Sequence, residues 1–324
     1  MLNHLRVAAA LILTALASSP APAQAPDWPT RSVKFVLPIG AGSGADIGAR
    51  LVAEKLSARW GQPVVVENRP GGDGFIALTT FLSAKDDHLI LFAPATTFTG
   101  HPYFHAKLPY NPAEIVPIAR VSSTLISLAT GQSSGFNSLK ELFDRARAEP
   151  GKLNWTSTAG ATDLIINAYF KTAGLEFTRV PYRDPVQGQN DVAEGRVHMY
   201  LSAYAIVQAQ VQAGRIKALA VMNSERSPLL PEMPTVTEVG FPELTLDGLV
   251  GLFGTRDMPQ TRREKIAADV KAILADPAVV QRLASTGQTV VPGSSAEFTA
   301  AVEKQRAALA GFAKTLGITA ATIE

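Results

Sequence analysis

The chain has 324 residues, a globular composition with 46% hydrophobic and 18% charged residues, and a formal net charge of +2. That near-neutral balance excludes a nucleic-acid or polybasic membrane partner, and the lack of cysteine excludes disulfides, thiol nucleophiles and zinc–cysteine sites. Length alone favours two domains, because about 300 residues exceed what one hydrophobic core usually carries.

The amino terminus reads as a secretory signal. Arg6 supplies the positive region, Val7 to Ala17 is apolar and uncharged, and small or turn-forming residues run from Ser18 to Ala25. The apolar run is shorter than the ~20 residues of a transmembrane helix. Of the two small-x-small sites, the one ending at Ala25 would leave Pro26 first, so cleavage is expected after Ala23, placing the mature chain in the periplasm.

Val33 to Leu37 reads as a buried strand, followed by the glycine-rich loop Gly40-Ala41-Gly42-Ser43-Gly44. Ala49, Val52, Ala53, Leu56 and Trp60 recur at helical spacing, Gly61 supplies the stop, and Val64 to Val66 is the next strand. Leu89 to Phe92 and Ile118 to Ala129 add strands; Ser138 would cap a helix running to about Ala148. Leu153 to Ser157 is a strand that leads through a polar loop into a helix from Asp163 to Thr172. Strands at Val197 to Leu201 and Ile216 to Val221 flank a helix around Ile206 to Ala213, and Ser227 to Pro242 is a proline-rich connector. The last third is helical, over Arg262 to Ala275, Ala278 to Thr286 and Ala296 to Leu316, with Ser294 and Glu297 spaced as a capping box. Alternating strands and helices predict an α/β fold with mostly parallel sheets. Ligands in such sheets bind beyond the carboxyl ends of strands, here the loops 38–46, 93–100, 157–163 and 181–185.

Several stretches resemble the Bug receptors, the TctC-like periplasmic components of tripartite tricarboxylate transporters. They are Leu37-Pro38-Ile39-Gly40-Ala41-Gly42-Ser43-Gly44-Ala45-Asp46, the more specific Gly61-Gln62-Pro63-Val64-Val65-Val66-Glu67-Asn68-Arg69-Pro70-Gly71-Gly72, Lys107 to Pro112, Pro150 to Asn154, Val180 to Arg183 and Ala213 to Val221. The resemblance implies a two-lobed, Venus-flytrap periplasmic binding protein of type II with its ligand between the lobes. Residues 1–23 would be the signal peptide, 24–122 and 226–324 one lobe, and 123–225 the other, with two crossing strands as the hinge. It also implies a monomer that carries a small organic carboxylate to an inner-membrane permease, with no cofactor and no catalysis.

A carboxylate in a cleft is well held by unpaired backbone N–H groups at helix amino termini. The loop Gly40 to Gly44, with the Ser43 hydroxyl, suits that role in one lobe, and Ser157-Thr158-Ala159-Gly160-Ala161-Thr162 suits it in the other. Thr96 and Thr97 would add hydroxyls, Ile39 and Phe98 apolar walls, and Tyr182 a further contact. Ser202 stands where many relatives carry an aspartate that can meet a ligand ammonium, which favours a dicarboxylate over an amino acid. Aliphatic Leu249-Val250 precedes Gly251 where relatives often place an aromatic residue.

Rival readings are weaker. Gly131-Gln132-Ser133-Ser134-Gly135, with Asp191 and His198 downstream, matches the order of an exported serine hydrolase using Ser133, but Phe136 to Ser138 read as loop where a nucleophile elbow enters its helix. The first loop is spaced G-x-G-x-G, not the dinucleotide G-x-G-x-x-G. No metal site is expected: His101 and His105 are four apart, but Pro102 disfavours a regular helix through both.

Overall fold

A computed structural model describes residues 28–157, 160–182 and 184–323. The chain divides after Thr30, and the body, Arg31–Glu324, holds every helix and strand of the described residues. Strand β1 (Val33–Leu37), helix α1 (Gly44–Trp60) and strand β2 (Val64–Asn68) open it, and β1 pairs with β2 in parallel. The Ser43 hydroxyl caps α1 by accepting the Asp46 N–H, and Gly61 ends the helix in the left-handed region at φ 66. Next come α2 (Phe75–Ser83), β3 (Leu89–Pro94) and two single turns, α3 (Thr96–Thr99) and α4 (His101–Phe104). Pro102 falls in the first turn of α4, where a missing N–H costs nothing. The turn nevertheless ends at Phe104 and His105 is its extended C-cap residue, so no regular helix runs through both histidines, as expected.

Strands β4 (Lys107–Leu108), β5 (Ile115–Thr124) and β6 (Ile126–Gly131) follow, then α5 (Leu139–Ala148) behind its Ser138 cap. Strand β7 (Asn154–Ser157) leads to α6 (Ala161–Ala173), β8 (Thr178–Arg179), α7 (Pro185–Ala193), β9 (Met199–Ala203), α8 (Tyr204–Gln212) and β10 (Ile216–Val221). Beyond the connector lie β11 (Gly248–Thr255), α9 (Gln260–Leu274), α10 (Pro277–Ala284), β12 (Gln288–Val290), α11 (Ser295–Leu316) and β13 (Thr322–Ile323). The Ser294–Glu297 capping box of α11 is complete.

The strands form a six-stranded sheet, β12-β5-β11-β3-β1-β2, a five-stranded sheet, β10-β6-β9-β7-β8, and a small pair, β13-β4. The large sheets are mixed, not mostly parallel. Parallel pairing holds where helices or loops carry the chain across, β1 with β2 and β3, and β7 with β8 and β9. Strand β11 enters between β3 and β5 at the end of the connector and pairs antiparallel with both. Its Gly251 passes so close that an added Cβ would meet the Ala119 carbonyl at 2.4 Å and the Phe298 ring at 2.7 Å. Sequence patterning missed β11 because glycine at this contact position interrupts the apolar run.

Each large sheet has its own core. Phe81, Phe98, Phe253, Phe298 and Val302 pack on the first, and Phe143, Trp155, Ile165, Leu201 and Leu309 on the second. Helix α11 serves both cores, with Phe298 and Val302 in one and Leu309 and Ala313 in the other. The chain also crosses between sheets at Leu125, from β5 to β6, and along the segment from β10 to β11. The buried Asn223 amide joins these crossings: its oxygen accepts the Ile126 N–H at 3.0 Å, and its nitrogen donates to the Ser123 hydroxyl and Thr124 carbonyl, both at 3.0 Å. Asn223→Leu leaves those buried groups unpaired and is expected to lower stability by at least ~2 kcal/mol, read as an earlier denaturant midpoint; an unchanged midpoint would show that the amide carries no load.

Candidate functional site

Two cavities of about 320 and 210 Å3 share Pro94, Thr96 and Ala161, and so form one cleft. On the first sheet's side it is walled by Ile39 after β1, by Asp73 and Gly74 ahead of α2, and by Thr96 and Thr97 in α3. On the second sheet's side stand Gly160, Ala161 and Thr162 at the start of α6, and Ala203 at the end of β9. Thr124, Ile126 and Gly248 from the crossings form its base. Strand pleating sends alternate residues to opposite faces, so Ser123 and Leu125 face a separate cavity with Arg120 and Asn223.

The start of α6 is the most polarised wall. Gly160 offers no side-chain cap, and thirteen residues of helix lie behind it. Thr162 lines the cleft and is nine-tenths buried, and its hydroxyl has no hydrogen-bond partner among the described residues. A buried hydroxyl without a partner is costly, and this one sits at the positive end of a helix dipole. Asp163 in the same turn is engaged away from the cleft, accepting from the Ser157 hydroxyl and pairing with Arg179 at 2.5 Å.

The first helix terminus is arranged differently. Asp46, in the first turn of α1, is buried and accepts the Gly42 N–H at 2.8 Å, Arg50 Nε at 3.1 Å and the Asn68 amide at 2.8 Å. Burial opposes its ionisation, but those three donors outweigh burial and hold the carboxyl below its ordinary value. The helix end thus already holds a carboxylate of its own. Gly40, Ala41, Gly42 and Ser43 are exposed, Gly44 lies against Thr286, and only Ile39 of this stretch lines the cleft. The glycine loop is therefore not brought to the cleft in this conformation.

Other expected contacts also lie elsewhere. Phe98 is fully buried in the first core, edge-on to Phe253 at 4.9 Å and beneath the Arg306 guanidinium, so the wall it was expected to form comes from Phe104. Ser202 is fully buried within β9 and donates to the Ala203 carbonyl; the pleat gives the cleft to Ala203 instead. The Tyr182 hydroxyl donates to Asp191 at 2.5 Å, and burial together with that carboxylate pushes it up to about 12. Thr158, Ala159 and Arg183 lie outside the described residues, as does the signal segment with its Ala23 site.

Sequence reasoning missed Asp73, His101 and Phe104, which reach the cleft because α4 and the turn before α2 meet there. His101 Nε2 lies 2.9 Å from the Asp73 carbonyl and its Nδ1 2.7 Å from the Tyr110 hydroxyl, while burial pulls its pKa down. Two histidines four apart beside a glycine-flanked aspartate were the available signal.

No hydrolase triad assembles. Ser133 is exposed beside Gly195, Asp191 is committed to Tyr182 and Arg196, and His198 Nδ1 is 2.6 Å from Asn154 Oδ1. No helix among the described residues is long and apolar enough to cross a membrane.

Two sheets with a cleft at their facing ends are the architecture of a two-lobed periplasmic binding protein. Residues 48–317 match the family model "Tripartite tricarboxylate transporter family receptor", and the chain belongs to that family. It is 29% identical over 293 residues to "UPF0065 protein in tcbD-tcbE intergenic region" of Pseudomonas sp. (strain P51), covering 89% of this chain and 87% of that one. It is 27% identical over 296 residues to Bordetella pertussis "Protein BugT", covering 90% and 91%. Among solved structures, "R. palustris Rpa4515 with adipate" superposes with a TM-score of 0.75 at 29% identity, covering 90% of this chain and 99% of that one. "Structure of periplasmic binding protein BugD" superposes with a TM-score of 0.71 at 26% identity, covering 92% and 100%. The chain is a solute-binding protein of the Bug and TctC type, not an enzyme.

A depressed carboxyl stabilises the folded state above its unfolded pKa, and the contribution is lost as pH falls through the folded value. Asp46→Asn is therefore expected to cost about 1–3 kcal/mol at neutral pH. The gap from wild type should be full above the unfolded value of 3.8 and close as pH falls below it. Urea midpoints measured between neutrality and acid check this, and a gap that widens on acidification would contradict it.

Proposed function

We propose that the cleft captures a small organic carboxylate, with aliphatic dicarboxylates favoured, and passes it to the membrane permease of a tripartite tricarboxylate transporter. The observation that carries the reading is the start of α6 at the cleft, where Gly160 supplies no side-chain cap and the buried Thr162 hydroxyl has no partner among the described residues. Donors without acceptors at the positive end of a helix suit an anionic oxygen ligand. Gly160 and Ala161 let the backbone approach, Thr96 and Thr97 face them from α3, and Ile39 adds an apolar wall. The adipate named with the 29%-identical R. palustris structure supports the class of ligand.

In this reading residues 24–122 and 226–324 form one lobe and 123–225 the other, with α11 reaching from the first into the core of the second. The protein acts as a periplasmic monomer after removal of residues 1–23. A ligand closes the lobes only through its preference for the closed form, so both walls must touch it.

Thermal unfolding against a panel of dicarboxylates, tricarboxylates, aromatic acids and amino acids is the direct test. Ligand at roughly 100 times its Kd stabilises the folded state by about 2.7 kcal/mol, a clear rise in Tm. A basic amino acid binding more tightly than any dicarboxylate would overturn the proposal. Thr162→Val is expected to weaken binding of the responding acid by about two- to tenfold in calorimetry without lowering the Tm of the free protein, since it removes a buried hydroxyl that has no partner among the described residues. Undiminished affinity would remove α6 from the site.

A further inference from the structure

We infer that Asp73, His101 and His105 form a binding site for a borderline divalent cation such as Zn2+, Ni2+ or Co2+ at the wall of the cleft. The inference goes beyond the carboxylate reading and does not depend on it. The three side chains bring a carboxylate oxygen and two imidazole nitrogens within 4.8 Å of one another. His105 Nε2 lies 2.9 Å from Asp73 Oδ2, and His101 Nε2 lies 3.8 Å from the same oxygen. Ligand atoms about 2.1 Å from one ion stand roughly 3.0–3.4 Å apart, so small side-chain movements would close the set. Two imidazoles and one carboxylate suit first-row divalent ions and leave coordination positions open. Asp73 and His101 both line the cleft, so the remaining positions face its interior.

The surroundings hold these groups in place. His101 opens α4 and His105 follows it as the C-cap residue, and the Phe75 ring packs against both at centroid distances of 4.6 Å. The far side of α4 is tied down by the carboxyl terminus, where the Ala321 N–H donates to the Pro102 carbonyl at 2.7 Å and β13 pairs with β4. His101 Nδ1 is 2.7 Å from the buried Tyr110 hydroxyl, an outer partner of the kind that orients metal-bound imidazoles. When Nε2 turns from the Asp73 carbonyl to an ion, the ring proton moves to Nδ1 and donates to the tyrosine oxygen, so the ring stays neutral. Asp73 itself has φ 55, one of two non-glycine residues with positive φ among those described. Such backbone persists where the surroundings over-determine it, often at functional sites.

Titration of tag-free, chelator-treated protein with Zn2+ by calorimetry and with Co2+ by visible absorption tests the site, with no organic ligand present. One equivalent of ion should bind, and His105→Ala and Asp73→Ala should each weaken it by at least about tenfold. Asp87→Ala, at the separate Asp86–Asp87–His88 cluster, should leave it unchanged. Far-ultraviolet dichroism checks that the variants fold, as both mutated side chains are at least partly exposed. No stoichiometric uptake by the wild-type protein would overturn the inference. So would uptake that survives both substitutions or disappears only with Asp87→Ala.

Discussion

The cleft depends on how two separately packed sheets are joined, and the buried Asn223 amide is one of those joints. Its three bonds tie the end of β5 and the start of β6 to the chain leaving β10. The two crossings are thereby held side by side. Gln305 of α11 adds a similar clasp, donating to the Asp247 carbonyl at 2.9 Å and accepting the Thr99 hydroxyl at 2.9 Å. Both amides are buried, so each bond is protected from water, and breaking one would strand a polar group.

Helix α11 adds a constraint of another kind. Its first half is fixed in the first core through Phe298 and Val302, and its second half in the second core through Leu309 and Ala313. A helix resists bending because each turn is hydrogen-bonded to the next. One stiff element therefore carries packing contacts to both cores.

The two helix termini illustrate how local charge decides which end can receive a ligand. Asp46 occupies the amino end of α1 with a carboxylate from the chain itself, bonded to the loop that looked ready for an external anion. Among the described residues no such occupant faces the cleft from the end of α6, because Asp163 is turned toward Ser157 and Arg179. Both termini carry a carboxylate in the first turn; the direction of that side chain separates a closed anion site from an open one.

The α/β architecture, most helix limits, the caps at Ser43, Ser138 and Ser294 and the family were legible in the sequence, because periodicity, capping chemistry and motif spacing are local. So was the set of loops at strand ends from which Thr96, Thr97 and Thr162 reach the cleft. The mixed strand order was not legible, since the place of β11 between β3 and β5 depends on partners more than 120 residues away. Nor was the fate of the glycine loop, because the Asn68 amide that helps hold Asp46 arrives from another strand. Phe98 and Ser202 were misplaced because one position along a turn or strand exchanges interior for cleft, and nothing in a loop's composition sets that phase. Sequence alone determined which groups the chain can offer to a ligand; tertiary packing decided which were already spent on the protein itself.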